Sequence, residues 1–305
     1  MAEIRGSGTW SSALSADEFA AIRSTGFEPV GQVLGAAVYN IGYTGGYGCP
    51  AYGTGYGFGP LGGGYGGGMY TGVTATSGSG TFTSYAPLVR TMYQARRQAI
   101  GRMITECQEL GGHGVVGVTL TIGGFPAGGL EFKAIGTAIK APGTAIKATG
   151  KVRLREPFTS DLSGQDFAKL ILAGWVPVGL VLGISVGARH DDWTTVSQTR
   201  WGAGNTEVSG YTDLVNATRH DARHQLEKDV AKHGADGVVL QQMDIRVGEH
   251  ECPVQEGRRD HVLEATIIGT AIAHFGRRRA PAKPPLAIMS LDPQRRQAAR
   301  VRLGS

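Results

Sequence analysis

The segment LSADEFAAIRSTGFEPVGQVLGAAV (14–38) returns as LSGQDFAKLILAGWVPVGLVLGISV (162–186), with 12 of 25 positions identical at a constant offset of 148. The shared positions include Phe19/Phe167, Gly26/Gly174, Pro29/Pro177, Gly31/Gly179 and Gly35/Gly183. Two more blocks follow in the same order. ARRQAIGRMITECQELGGHGVVGV (95–118) lies over TRHDARHQLEKDVAKHGADGVVLQ (218–241), and LEFKAIGTAIKA (130–141) over LEATIIGTAIAH (263–274). Low complexity does not preserve block order, so the pattern predicts two copies of one domain. The expected organisation is a leader at 1–13, a first copy at 14–150, a second at 156–275 and a tail at 276–305.

Each block carries local signals. Ser15 and Glu18 form a capping-box pattern, with Ser163 and Asp166 as its weaker counterpart. A short helix is expected after each, ending at Gly26 or Gly174, where glycine accepts the left-handed conformation. A strand follows, with Pro29 or Pro177 near its start or at an edge. Long helices are expected over about 86–110 and 211–233. Val215, Ala222, Leu226 and Val230 make one apolar stripe, and Met92, Ala99, Met103 and Cys107 are its equivalents in the first copy. Two strands joined by a hairpin close each copy. The order helix, strand, insert, long helix, strand, strand gives an α+β fold class.

The stretch LILAGWVPVGLVLGISVG (170–187) has no charged residue and is long enough to span a bilayer. Its counterpart carries Arg23, Glu28 and Gln32, which a span does not admit at equivalent depth. The stretch is therefore expected to divide at Gly174 into a helix end and a strand, with no membrane span. Ile171, Val176 and Leu180 are expected to be buried.

The inserts differ. Residues 42–70 of the first copy hold 14 glycines and six of the chain's ten tyrosines. They read as a flexible surface loop, or as a tyrosine-bearing contact loop for self-assembly or ligand stacking. The second copy has DDWTTVSQTRW (191–201), which alternates enough to be a small strand.

Three cysteines, Cys49, Cys107 and Cys252, form no CxxC pair. This argues against a disulfide framework and fits a reducing cytoplasm. The N-terminus shows no signal-peptide h-region. Residues 276–305 carry eight basic residues against Asp292, so of the chain's net +5 the tail supplies +7 and the remaining residues −2. A nearly neutral body is a poor nucleic-acid binder.

SGYTDLVNATRHDARHQLEKDVAKHGADGVVLQQMDI followed by LEATIIGTAI resembles the YbjQ-like heavy-metal-binding domain family of bacteria. The pattern is Gly210-Tyr211, Leu214, Arg219, Leu226, the loop Gly234-Ala235-Asp236, Val238-Val239 and Gly269-Thr270-Ala271. The first copy matches more loosely through Ser84-Tyr85, Leu88, Arg96, Gly111, Val115-Val116 and Gly136-Thr137-Ala138, with His113 in place of the loop aspartate. The resemblance implies two tandem copies of a small β-α-β-β (dodecin/YbjQ-like) domain, each preceded here by a short helix. It also implies ring assembly, typically as pentamers, so that two copies per chain give a stacked or alternating double ring. It brings no ligand set.

The metal candidate read from the residues is the hairpin GEHECPVQEGRRDH. His250, Cys252 and His261, with Glu251 and Glu256 nearby, offer nitrogen, sulfur and oxygen donors for a transition-metal ion. A turn near Gln255-Glu256 would set His250 opposite His261, and a slip of one residue reverses the faces. The alternative is a solvated polar loop. His220 and His224 have chelating spacing but lie opposite the apolar stripe, as solvent-facing or subunit-contact residues. His190-Asp191-Asp192 reads as a polar loop cluster. There is no GxSxG elbow, and Cys107 falls on the apolar stripe as inert packing. No phosphate loop is present.

The tail reads as a disordered solubilising segment, or as a docking segment over 280–305. Within it, LAIMSL (286–291) resembles the LxIGSL-type peptides that dock cargo inside encapsulin shells, with Met289 where the glycine belongs. Residues 292–303 could instead form a basic helix on an acidic surface. The expected function is a non-enzymatic, ring-forming cytoplasmic scaffold or binding protein for a metal ion or small ligand, with a transition-metal ion as the one candidate cofactor. The alternatives are a cargo or adaptor protein recruited to a larger shell through the tail, and an enzyme with an inter-subunit site.

Overall fold

The computed structural model describes residues 11–40, 74–77, 85–125, 129–141, 157–252 and 259–274. Each short helix begins at its predicted serine. Ser15 accepts the Glu18 N–H, and the Glu18 carboxylate accepts the Ser15 N–H at 2.8 Å, closing a capping box on α1 (Ala16–Ser24). Ser163 accepts the Asp166 N–H at 3.1 Å and starts α3 (Gly164–Leu172). Both helices are followed by glycine at positive φ, Gly26 at 86° and Gly174 at 84°. The charge-free stretch thus divides at Gly174 between α3 and β6 (Trp175–His190). Among the described residues no helix is long and apolar enough to cross a membrane.

The remaining elements are β1 (Glu28–Tyr39), β2 (Thr74–Thr76), α2 (Ala86–Glu109), β3 (Gly114–Gly124), β4 (Leu130–Lys140), β5 (Phe158–Thr159), α4 (Trp193–Gln198), α5 (Ser209–Lys232), β7 (Gly237–Glu251) and β8 (Arg259–His274). The strands make two four-stranded sheets, ordered β1-β4-β3-β5 and β2-β6-β8-β7. The fold is mixed α+β.

The two sheets pair in matching registers. Glu28 opposes Lys140 as Val176 opposes Ala273, and Gly114 opposes Ile139 as Gly237 opposes Ile272. Each first strand carries an irregularity after its proline, between Pro29 and Gly31 and between Pro177 and Gly179. One edge strand of each sheet comes from elsewhere in the chain. β2, which precedes α2, pairs with β6 of the second sheet. β5, which precedes α3, pairs in parallel with β3 of the first.

The long helices pack on these sheets through glycine. A Cβ on Gly35 would lie 1.9 Å from the Ala99 carbonyl oxygen, and one on Gly183 would lie 2.2 Å from that of Ala222. Only glycine lets strand and helix approach this closely. α2 buries Met92, Ala99, Met103 and Cys107, as its stripe predicts. α5 buries Leu214, Thr218, Ala222, Leu226 and Asp229, whereas Val215 and Val230 are only partly buried, so its stripe is rotated from the predicted one. One core cluster joins Val33, Ala99, Met103 and Phe132 to Leu180, Leu182 and Ile268 of the second sheet. Each of the larger side chains among them, withdrawn from water, contributes about 1.5–3 kcal/mol. Val176 and Leu180 are buried and Ile171 packs partly buried against a second cluster, while Arg23, Glu28 and Gln32 are exposed.

The segment DDWTTVSQTRW is not a strand. Asp192 accepts the Thr195 N–H at 2.7 Å and nucleates α4, followed by a 3-10 turn at Trp201–Ala203. An Asp N-cap outweighs the weak alternation. The Gly/Tyr-rich insert and the tail lie outside the described residues.

Candidate functional site

Three strands of the second sheet end together. At that end the register places His190 opposite Asp260 and Arg189 opposite His261. On the other side of β8, His250 opposes Asp260 and Glu249 opposes His261. Cross-strand partners share a face and successive residues alternate. His190 and Asp260 therefore lie on one face, and Arg189, His261 and Glu249 on the other.

On the first face, His190 Nδ1 and Asp260 Oδ1 are 2.7 Å apart. Cys252, just past β7, comes to the same point. One donor atom from each of His190, Cys252 and Asp260 lies within 4.8 Å of the other two. All three residues are buried, at 3%, 6% and 6% exposure. Nitrogen, thiol sulfur and carboxylate oxygen thus meet in a site shielded from water, a donor set suited to zinc-class ions.

The opposite face holds a different network. His261 Nδ1 lies 3.1 Å from Asp191 Oδ1, at ion-pair distance but without hydrogen-bond alignment. The Tyr211 ring tilts against His261 with centroids 4.5 Å apart, and its hydroxyl donates to Asp191 at 3.3 Å. Burial and the neighbouring Asp191 push the Tyr211 hydroxyl up to about 12. Arg189 pairs with Asp192 at 3.2 Å and donates to Thr74 of β2 at 3.0 Å.

Of the expected donors His250, Cys252 and His261, Cys252 and His261 lie apart. The register lies one residue from the one that would oppose the two histidines. Cys252 joins His190 and Asp260, His261 sits across the sheet with Asp191, and the side chain of His250 lies outside the described residues. In the cluster His190-Asp191-Asp192, the two aspartates form the expected loop between β6 and α4, but it is largely buried. His190 ends β6, and both His190 and Asp191 are buried. His220 and His224 are exposed on α5, with His224 3.8 Å from Glu227. Asp260 escapes a reading of the hairpin alone, because its partner is 70 residues away on β6. Burial pushes the Cys107 thiol up to about 11, as befits inert packing.

A cleft of about 1020 Å³ lies between α2 and α5. Tyr93 lines it and reaches from α2 to β6, donating to the Leu182 carbonyl at 3.3 Å and accepting the Ile184 N–H at 2.8 Å. Burial pushes the Tyr93 hydroxyl up to about 12. Asp229 bridges the helices, 3.7 Å from Arg97 and 3.6 Å from Lys232.

The YbjQ family model, described as "Putative heavy-metal-binding", matches residues 61–142. That span holds α2, β3 and β4 and none of His190, Cys252 and Asp260. The encapsulin nanocompartment protein Rv1762c of Mycobacterium tuberculosis is 29% identical over 275 residues, covering 88% of this chain and 87% of that protein. No solved structure matches the chain significantly.

Proposed function

We propose that this chain is a non-enzymatic, self-assembling cytoplasmic scaffold or binding protein that works with an encapsulin-type shell, to which residues 286–291 address it. The observation that carries the reading is the 29% identity, over most of both chains, to an encapsulin nanocompartment protein. The LAIMSL segment adds to it from the sequence side.

The body would be a tandem pair of YbjQ-like domains. Support comes from the matched registers of the two sheets and from the equivalent glycine contacts, Gly35 on Ala99 and Gly183 on Ala222. Self-assembly, as a ring or double ring, draws support from β7. It is the outer strand of its sheet over 15 residues, and Leu240, Met243, Ile245 and Val247 are 40–62% exposed on it. A long edge strand carrying exposed apolar side chains is a template for pairing with another chain.

Two measurements test the reading. Mass photometry of the full chain should give a closed oligomer, and a monomer would remove the ring. Co-expression with the cognate encapsulin shell protein should give co-elution of the full chain but not of a chain lacking 280–305. Equal co-elution of both, or of neither, would remove the docking role of the tail.

A further inference from the structure

We propose that His190, Cys252 and Asp260 bind a divalent ion of the zinc class. The proposal stands apart from the assembly reading, because it concerns one face at one end of the second sheet. The three donors come from three strand ends, β6, the exit of β7 and the start of β8. Their convergence depends on register over long strands and is not the accident of one flexible loop.

Charge argues the same way. A thiolate and a carboxylate together balance a divalent cation, and a neutral imidazole adds a third donor without changing the sum. Buried ionised groups without such compensation are costly. The two described cysteines differ accordingly. Cys107 sits in the core against Met103 and Ala138, and its thiol faces the Gly114 carbonyl at 3.6 Å. Cys252 sits instead beside an imidazole and a carboxylate. A sulfur donor selects zinc, cobalt or cadmium over magnesium and calcium, which take oxygen. His190 Nδ1 and Asp260 Oδ1, 2.7 Å apart, already hold two of the donor groups together. The ion would tie the three strand ends together.

The site differs from what the family model matches, since its three residues all lie beyond residue 142. It also differs from a hairpin-only site, because His190 belongs to β6.

The test is cobalt titration of the full-length apo-protein, read by the thiolate-to-cobalt charge-transfer absorption and by metal analysis after desalting. About one cobalt per chain is expected, with the charge-transfer band present and displaced by zinc. Cys252→Ser should abolish the band and Cys49→Ser should keep it. His190→Ala and Asp260→Asn should weaken cobalt binding by at least about tenfold. Circular dichroism establishes that each variant is folded. Should Cys252→Ser not fold, Asp260→Asn decides through the same band, since it keeps the side-chain volume. A wild-type chain without the band overturns the proposal, and so does an unchanged band in folded Cys252→Ser or unchanged affinity in folded Asp260→Asn.

Discussion

The Leu182 N–H on β6 is capped by the carboxylate of Asp229 on α5, 3.2 Å away. The Leu34 N–H on β1 is capped in the same way by Glu106 on α2 at 2.7 Å. Each long helix thus reaches over its sheet and plugs one donor of the neighbouring strand. Asp229→Ala leaves the Leu182 N–H without its partner, and a buried unsatisfied donor costs about 1–3 kcal/mol. Urea denaturation should show a loss of that size, with Asp229→Asn losing less because its amide oxygen still accepts.

Gly183→Ala places a methyl group 2.2 Å from the Ala222 carbonyl oxygen, which belongs to helix backbone and cannot turn aside. α5 has to move away from β6. The expected destabilisation is about 2–3 kcal/mol by chemical denaturation. Gly202→Ala serves as the control, because a Cβ there meets nothing within 4 Å.

Asp161 gives a pH test. Burial pushes its carboxyl up, although Thr270 donates to Oδ1, and Oδ2 has no partner among the described residues. The folded state therefore prefers the protonated acid. As pH rises through the ordinary carboxyl range to the raised folded-state value, stability falls, and above that value the whole penalty is present. Asp161→Asn should raise the thermal midpoint at neutral pH and leave it unchanged in acid below the ordinary carboxyl range. A variant equal to wild type at neutral pH would show that the buried charge carries no penalty.

Glu18 has the opposite sign. The backbone N–H of Ser15, with further help from the Ser15 side chain and the Gly164 N–H, holds its carboxyl below the usual range. Its contribution is full above the ordinary carboxyl value and is lost as pH falls through the depressed folded-state value. Glu18→Gln should therefore be less stable than wild type at neutral pH and converge with it in strong acid. Ser15→Ala, which removes the other half of the box, should cost about 1 kcal/mol.

Much of the fold was legible because its signals are local. The serine caps and the glycines at positive φ act within one or two helical turns and occur twice in the repeat, and the stripe of Met92, Ala99, Met103 and Cys107 runs along one helix. DDWTTVSQTRW was misread because one side chain, Asp192, decides between strand and helix there, and alternation over a few residues is weak evidence beside a cap. The site was only partly legible. Cys252 stood out as a soft donor in a polar hairpin. Its companions depend on how β8 slides along β6, and the irregularity after Pro177 contributes to that register. A hairpin read by itself cannot supply His190.

The crossed edge strands bear on what could be cut from this protein. β2 is encoded ahead of α2 yet completes the second sheet, and β5 is encoded ahead of α3 yet completes the first. A chain severed between them would leave each fragment missing a rim that the other one carries. Heating should then give one melting event, and a library of excised halves should yield sticky fragments that regain solubility only when both are made together.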